Sequence, residues 1–288
     1  MASIRWTSAA RAASGLALCA ALAAAAVPAA RAQTSVAGAP APGLSQSVKK
    51  GFDVVVRPNG KWRQEVDALR VRWFYSWGGD EPADMPAGVE FVPMIWGYYG
   101  DKDGRTGKYL AKVAAQPNIH ELLGFNEPDH ADQANLPVAD ALKAWPLLEK
   151  TGLPLGSPAA ANDQGAWMQQ FMAGAAQSGY RIDFVTVHWY GGADPQSFLG
   201  ALRRIHDLYH RPLWVTEFAP ADWSRQHPIS AQLDEAFLRV VIPAMEKLAY
   251  VQRYAWFSGS PGDAVLGGAA LFNADGSLTD LGRLYASY

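Results

Sequence analysis

Cysteine is nearly absent from this chain: Cys19 is the single one in 288 residues. It lies in an N-terminal segment expected to be removed, so the remaining protein has no disulfide and no thiol nucleophile and relies on its core. Long hydrophobic runs are missing too, and none reaches the roughly 18–20 residues that a membrane-spanning helix needs. Neither sign of charge dominates, with 25 basic against 27 acidic residues and a formal net charge of −2. Without a basic surplus, nucleic acids and anionic membranes are poor partners. No Gly-x-Ser-x-Gly elbow is present, which leaves a serine hydrolase without support. No glycine-rich phosphate turn follows the first predicted strand, which argues against an open doubly wound sheet. Asp129, His130 and Asp132 are neighbours, but no second cluster shows ligand spacing, so neither a metal nor an organic cofactor is expected.

What is present begins with an export signal. Arg5 and Arg11 form a basic start, Gly15 to Val27 is an apolar stretch of 13 residues, and Ala30-Arg31-Ala32 supplies small residues around a cut. This pattern predicts a secretory signal peptide over residues 1–32, cleaved after Ala32, and a secreted or periplasmic product. A lipoprotein reading of Leu16-Ala17-Leu18-Cys19 is weaker, because Leu18 is bulky where a small residue is expected. Losing 32 of 288 residues leaves 256, and the loss of three arginines and no acid takes the net charge to −5. Residues 33–48, rich in Ala, Pro, Gly and Ser, read as a flexible leader. The remaining 49–288 suffice for one large domain, expected to be monomeric.

Along that domain, short β-branched and aromatic runs alternate with stretches of helical spacing. Eight strands are predicted: Phe52–Val56, Val71–Trp77, Phe91–Trp96, Leu122–Glu127, Leu153–Ser157, Phe184–Tyr190, Leu213–Phe218 and Gln252–Phe257. Helices are predicted over 61–69, 106–115, 137–150, 165–178, 195–209 and 231–249, with a last one from about Thr279. Residues 78–90, with Pro82 and Pro86, read as loop. Residues 258–277 read as a long loop or small hairpin with its tip at 274–276. Eight strands alternating with helices over about 230 residues predict an α/β fold, a single-domain (β/α)8 TIM barrel.

Barrels place their chemistry where strands end, so position along the strand sorts the carboxylates. Glu90, Glu121 and Asp183 sit at strand starts and read as stabilising residues of the opposite face. Glu127 and Glu217 end the fourth and seventh strands. A carboxylate closing a buried apolar strand is costly unless paired or used. Two of them at one barrel mouth match glycoside hydrolysis, in which one carboxyl group donates a proton while the other attacks. A separation of about 5–5.5 Å would give retention, and about 6.5–9.5 Å would leave room for water and give inversion. Asn126 precedes Glu127 and can donate its amide to a sugar hydroxyl. Adjacent strand residues face opposite sides, so both reach a cleft only through a bulge or at the strand's end. Glu217 shares its strand side with Leu213 and Val215.

His188 and Tyr190 share one face at the end of the sixth strand, placed to hold Glu217 or touch the sugar. Ten of the eleven tryptophans follow the signal peptide, and flat aromatic faces suit sugars as well as cores. Trp256 is expected beneath the reacting sugar. Trp77, Trp96, Tyr98 and Tyr99 end or follow strands two and three and are expected along one arm of the cleft, with Trp223 as another wall. Trp62, Trp145 and Trp167 lie in helical segments and read as core.

The strings Phe91-Val92-Pro93-Met94-Ile95-Trp96, Gly124-Phe125-Asn126-Glu127-Pro128-Asp129, Asn135-Leu136, Val187-His188-Trp189-Tyr190 and Trp214-Val215-Thr216-Glu217-Phe218-Ala219 resemble glycoside hydrolase family 128. The likeness covers about residues 50–288. It implies a retaining barrel glycosidase acting on β-1,3-glucan, endo-acting, with Glu127 as acid/base and Glu217 as nucleophile. It also implies contact with the reacting sugar by Asn126, His188 and Tyr190. The remaining alternatives are a retaining hydrolase or transglycosylase of another β-glycan (a mannan, β-1,4-glucan or xylan) and a glucan-binding barrel without activity.

Overall fold

A computed structural model describes residues 45–288 except Asn59. The signal peptide and residues 33–44 of the expected leader lie outside the described residues. The leader's last part does not behave as leader. Ser45 is buried, its backbone N–H donates to Arg70 O, and its hydroxyl donates to Tyr288 O at 2.5 Å. Ser47 Oγ donates to Glu246. The folded unit therefore includes residues 45–48, because these serines bond to Tyr288 and to Glu246 in the helix Ala231–Lys247.

Six strands run in parallel: Lys50–Asp53, Trp73–Tyr75, Glu90–Phe91, Val185–Trp189, Leu213–Phe218 and Val251–Trp256. They form a continuous arc, with the first strand joined to both the second and the last. Isolated parallel bridges close the circle through the segments 122–126 and 155–159. These bridges are Met94 with Leu123, Leu122 with Leu155, Asn126 with Ala159, and Gly156 with Phe184. The result is the (β/α)8 barrel. Its fourth and fifth positions are ragged because Pro93, Pro154 and Pro158 lack an N–H for the ladder. Gly124 allows the two segments to meet, since a Cβ there would lie 2.8 Å from Ser157 O.

Seven α-helices surround the barrel among the described residues. They are α1 Lys61–Leu69, α2 Arg105–Ala114, α3 Val138–Glu149, α4 Ala166–Gln177, α5 Pro195–Tyr209, α6 Ala231–Lys247 and α7 Asp280–Ala286. The eighth place, between the second and third strands, is the expected loop. Helix α3 shows why the pattern was readable: Ala141, Ala144, Trp145 and Leu148 form one buried stripe at helical spacing. Asp194, Ser230 and Thr279 cap α5, α6 and α7 by accepting backbone N–H bonds. The first strand starts earlier than predicted, and Val55 is exposed. Lys50 hid that start. It is fully buried, with Nζ donating to Tyr285 O at 3.0 Å, and burial pushes its pKa down to about 7. The hairpin tip appears as predicted, with Phe272 bridged to Leu278 and Gly276 at φ 87°.

Alternation along the strands divides the core. Trp73, Tyr75, Val92, Met94, Leu123, Phe184, Trp214 and Ala255 fill the barrel's interior as one cluster. Their neighbours Phe74, Phe91, Phe125, Val185 and Val215 join the larger outer core with the helices, which includes Trp62 and Trp145 as expected. A packed interior leaves the mouth as the place for a cleft.

Candidate active site

The mouth holds an open cavity of about 820 Å³ lined by Trp77, Trp96, Asn126, Glu127, Tyr190, Glu217 and Trp223, among others. Both glutamates reach it through a break in strand geometry. Glu127 has φ 39°, a left-handed conformation that costs a residue other than glycine about 1–2 kcal/mol. Two bonds hold it there: Asn126 N–H donates to Trp96 O at 2.9 Å and Glu127 N–H to Ala159 O at 2.7 Å. The turn lets Asn126 and Glu127 face the same cavity. Glu217 arrives by a bulge. Val187 pairs with Val215, but His188 pairs with Glu217, so Thr216 is an extra residue. This corrects the predicted alternation: Leu213 and Val215 point to the outer core, whereas Glu217 is re-aimed inward beside His188.

One oxygen of Glu127, one of Glu217 and a ring nitrogen of His188 all lie within 4.8 Å of one another. His188 Nδ1 is 3.1 Å from Glu127 Oε1, and its Nε2 is 3.4 Å from Glu217 Oε1. Glu217 Oε1 accepts from Tyr75 Oη at 2.7 Å and from Trp77 Nε1 at 2.9 Å, and its Oε2 accepts from Tyr190 Oη. Three donors on one buried carboxyl group suit an anion. The cluster is compact enough for a small cation, but three donors already engage both oxygens of Glu217, and His188 engages Oε1 of Glu127.

Burial pushes the Glu127 carboxyl up, but the hydrogen bond and charge of His188, with the charge of His130, outweigh it and hold Glu127 below the usual carboxylate value. Burial pushes His188 down, and the charge of Glu217, the bond to Glu127 and the charges of Glu127 and Asp163 raise it above its ordinary value. Glu127 was expected to keep a proton. The lowering of Glu127 and the raising of His188 both favour instead an imidazolium between the two carboxylates, one hydrogen bond from Glu127. Asp53, buried at the end of the first strand, is pushed well above the usual range by burial and by the charge of Glu217.

The family model described as the glycosyl hydrolase catalytic core matches residues 53–285. A subgroup I family 128 endo-β-1,3-glucanase from Amycolatopsis mediterranei, solved with laminaritriose, is 37% identical, with a TM-score of 0.73 over 84% of this chain and 99% of that one. The chain belongs to glycoside hydrolase family 128. A subgroup II enzyme of this family from Sorangium cellulosum is 29% identical, with a TM-score of 0.68 over 83% of this chain and 98% of that one. Among curated proteins, Alkali-sensitive linkage protein 1 of Schizosaccharomyces pombe is 28% identical over 75% of this chain. The chain spans 40% of the length of that relative.

In this family 128 chain the predicted residues do not all converge. Trp77, Trp96 and Trp223 line the cavity, and Trp223 is 62% exposed. Trp256 does not reach it. This side chain is fully buried, its Nε1 donates to Ala269 O at 2.9 Å, and its ring packs on Phe218 and Phe237. The next residue, Phe257, takes the cavity position, because strand alternation turns Trp256 toward the helices. Tyr98 packs at the core's edge and Tyr99 is 80% exposed; neither lines the cavity. Tyr75, Phe257 and Gln133 were not foreseen. Tyr75 was within reach of the sequence, since Trp73, Tyr75 and Trp77 are two residues apart and share one strand face.

Proposed function

We propose that this chain is an exported, endo-acting β-1,3-glucanase that hydrolyses its substrate with retained anomeric configuration. One observation carries the reading: carboxyl oxygens of Glu127 and Glu217 lie within 4.8 Å over one open cavity. That gap is short of the roughly 6.5–9.5 Å that an attacking water requires between two carboxylates. The endo-β-1,3-glucanases among its structural relatives support the linkage, and the N-terminal pattern supports export.

In the first step Glu127 gives a proton to the glycosidic oxygen as the bond from that oxygen to the anomeric carbon breaks. Glu217 attacks the same carbon and forms a glycosyl ester. Its ionised state suits this role, with Tyr75, Trp77 and Tyr190 holding the carboxylate in place. The proton reaches Glu127 Oε1 from His188 Nδ1 across their 3.1 Å contact as the sugar displaces water. In the second step Glu127 takes a proton from water, whose oxygen attacks the anomeric carbon and releases Glu217. Asn126 binds the 2-hydroxyl group of the reacting sugar.

Product analysis tests the reading. Laminarin should yield a spread of short oligosaccharides, and proton NMR of the first product should show the β-anomer. A first product in the α configuration overturns double displacement. Release of reducing sugar from mannan, xylan or β-1,4-glucan with none from laminarin overturns the linkage. Glucan binding with no product from any of these overturns the enzyme.

A further inference from the structure

We propose that Gln133 is a positioning residue that fixes the orientation of the Asn126 amide at the reacting sugar. The proposal rests on the reading above that Asn126 meets the 2-hydroxyl group. Asn126 Nδ2 donates to Gln133 Oε1 at 3.1 Å, the side chain's one hydrogen bond among the described residues. Its Oδ1 is buried and has no partner. Nothing else on the amide distinguishes its two ends.

The distinction matters because the terminal torsion of asparagine is broad and nearly two-fold. A half-turn would exchange the N–H donor for the carbonyl acceptor and present the wrong group to the sugar. With its Oε1 turned to Asn126, Gln133 selects the nitrogen end, and Gln133→Glu, which offers only acceptor oxygens, makes that selection without an amide of its own to turn. One amide hydrogen is held by Gln133, which leaves the second for a substrate hydroxyl.

The loop after the fourth barrel position is built to deliver Gln133 to this place. His130 N–H donates to Glu127 O, Gln133 N–H to His130 O, Ala134 N–H to Asn126 O, and Leu136 N–H to Pro128 O. The segment thus folds back on the residues that carry the chemistry. Gln133 lines the same cavity as Asn126 and Glu127, so it is held by its backbone while its side chain serves the mouth.

The test uses a chromogenic aryl β-laminaribioside and its counterpart lacking the 2-hydroxyl group on the reacting glucosyl unit. Gln133→Ala should lower kcat on the normal substrate about tenfold with KM little changed, the scale on which orientation acts. On the 2-deoxy substrate it should match the wild type. Gln133→Glu keeps an acceptor oxygen and should recover most of the loss. Asn126→Ala should show the same selectivity with a larger loss. Equal losses on both substrates for Gln133→Ala, or no loss on either, overturn its role while a selective Asn126→Ala leaves the sugar contact standing. An Asn126→Ala loss that is equal on both substrates overturns the contact itself, and the proposal with it.

Discussion

The barrel carries two pairs of glutamates, each with a basic side chain between them, at opposite ends. At the mouth, His188 lies between Glu127 and Glu217. At the base, Arg253 Nη2 is 2.8 Å from Glu90 and 3.5 Å from Glu121. The base is half-buried, with no cleft over it among the described residues: the guanidinium lies 4.1 Å from the Trp214 ring and 5.5 Å from that of Trp73, in cation–π contact with both, and the three side chains are 15–23% exposed. The mouth opens on a cavity and is held by strained backbone, with Glu127 at φ 39° and Trp77 at φ 56°. Two carboxylates and a cation therefore do not make an active site by themselves. What separates the ends is the cavity at the mouth, and whether the basic group between the glutamates can lose its proton. Arginine keeps its charge at any working pH, whereas histidine titrates within the physiological range.

Removing a carboxylate at each end gives the largest contrast. Glu217→Ala should lower turnover of laminarin by about 10⁴-fold or more, as loss of a nucleophile does. Added azide should restore cleavage and give a glycosyl azide of inverted configuration. Glu121→Ala should keep the turnover of its folded fraction. If both variants lose activity alike, the two ends are not distinct in function. Arg253→Met reverses the emphasis. It strands the ionised, half-buried Glu90 carboxylate, which should cost about 3 kcal/mol in urea unfolding while kcat per folded molecule stays unchanged. Arg253→Lys should lose less. Intact stability with a reduced kcat would place Arg253 in the chemistry instead.

The third contrast concerns the titrating cation. In the free enzyme, the alkaline limb of kcat/KM marks loss of the proton shared by His188 and Glu127. With His188 raised by its carboxylate neighbours, that limb should lie above the ordinary histidine value of about 6.5. His188→Ala should move it to lower pH, toward the carboxylate range, and lower the maximal rate by about 10–100-fold. An alkaline limb that stays in place would show that the proton is not stored on His188.

Both glutamates at the mouth were legible in the sequence, and so was the barrel order, because burial patterns repeat along strands and helices. Val215 and Glu217 show where that legibility ends. Period-two alternation puts them on one side, and a bulge at Thr216 sends them to opposite sides of the wall. Trp256 was misplaced by one residue against Phe257 although the eighth strand alternates regularly: Tyr254 and Trp256 face the outer core, and Ala255 and Phe257 face the interior and the cavity. The bond between Asn126 and Gln133 had no signal at all, because a fold-back loop sets it and no periodicity records loops. Sequence patterns therefore report which strand end carries a group. Where that group points depends on backbone irregularities that cost energy and are held by surrounding bonds.

The smallest effect belongs to the base. Burial is the main cause that pushes the Glu121 carboxyl up to about 8, with the charge of Arg253 opposing it and the bond and charge of Glu90 adding to it. Glu90 feels the same burial, but Arg253 outweighs it, and Glu90 stays ionised. One proton is thus shared between these two acids at neutral pH. The unfolded chain titrates Glu121 near 4.5. The folded state binds that proton more tightly, so its contribution is fully present below pH 4.5 and is lost as pH rises toward 8. Glu121→Gln keeps an N–H donor for Glu90 and has no proton to lose. Its Tm should therefore match the wild type in acid and exceed it increasingly toward pH 8, by about 2–4 °C, the response of a domain this size to ~1 kcal/mol. Activity of the folded enzyme should be the same in both at each pH. A gap that shrinks as pH rises would mean that Glu121 is ionised and that Arg253 neutralises both acids, and the two ends would then differ only in the cavity that one of them opens on.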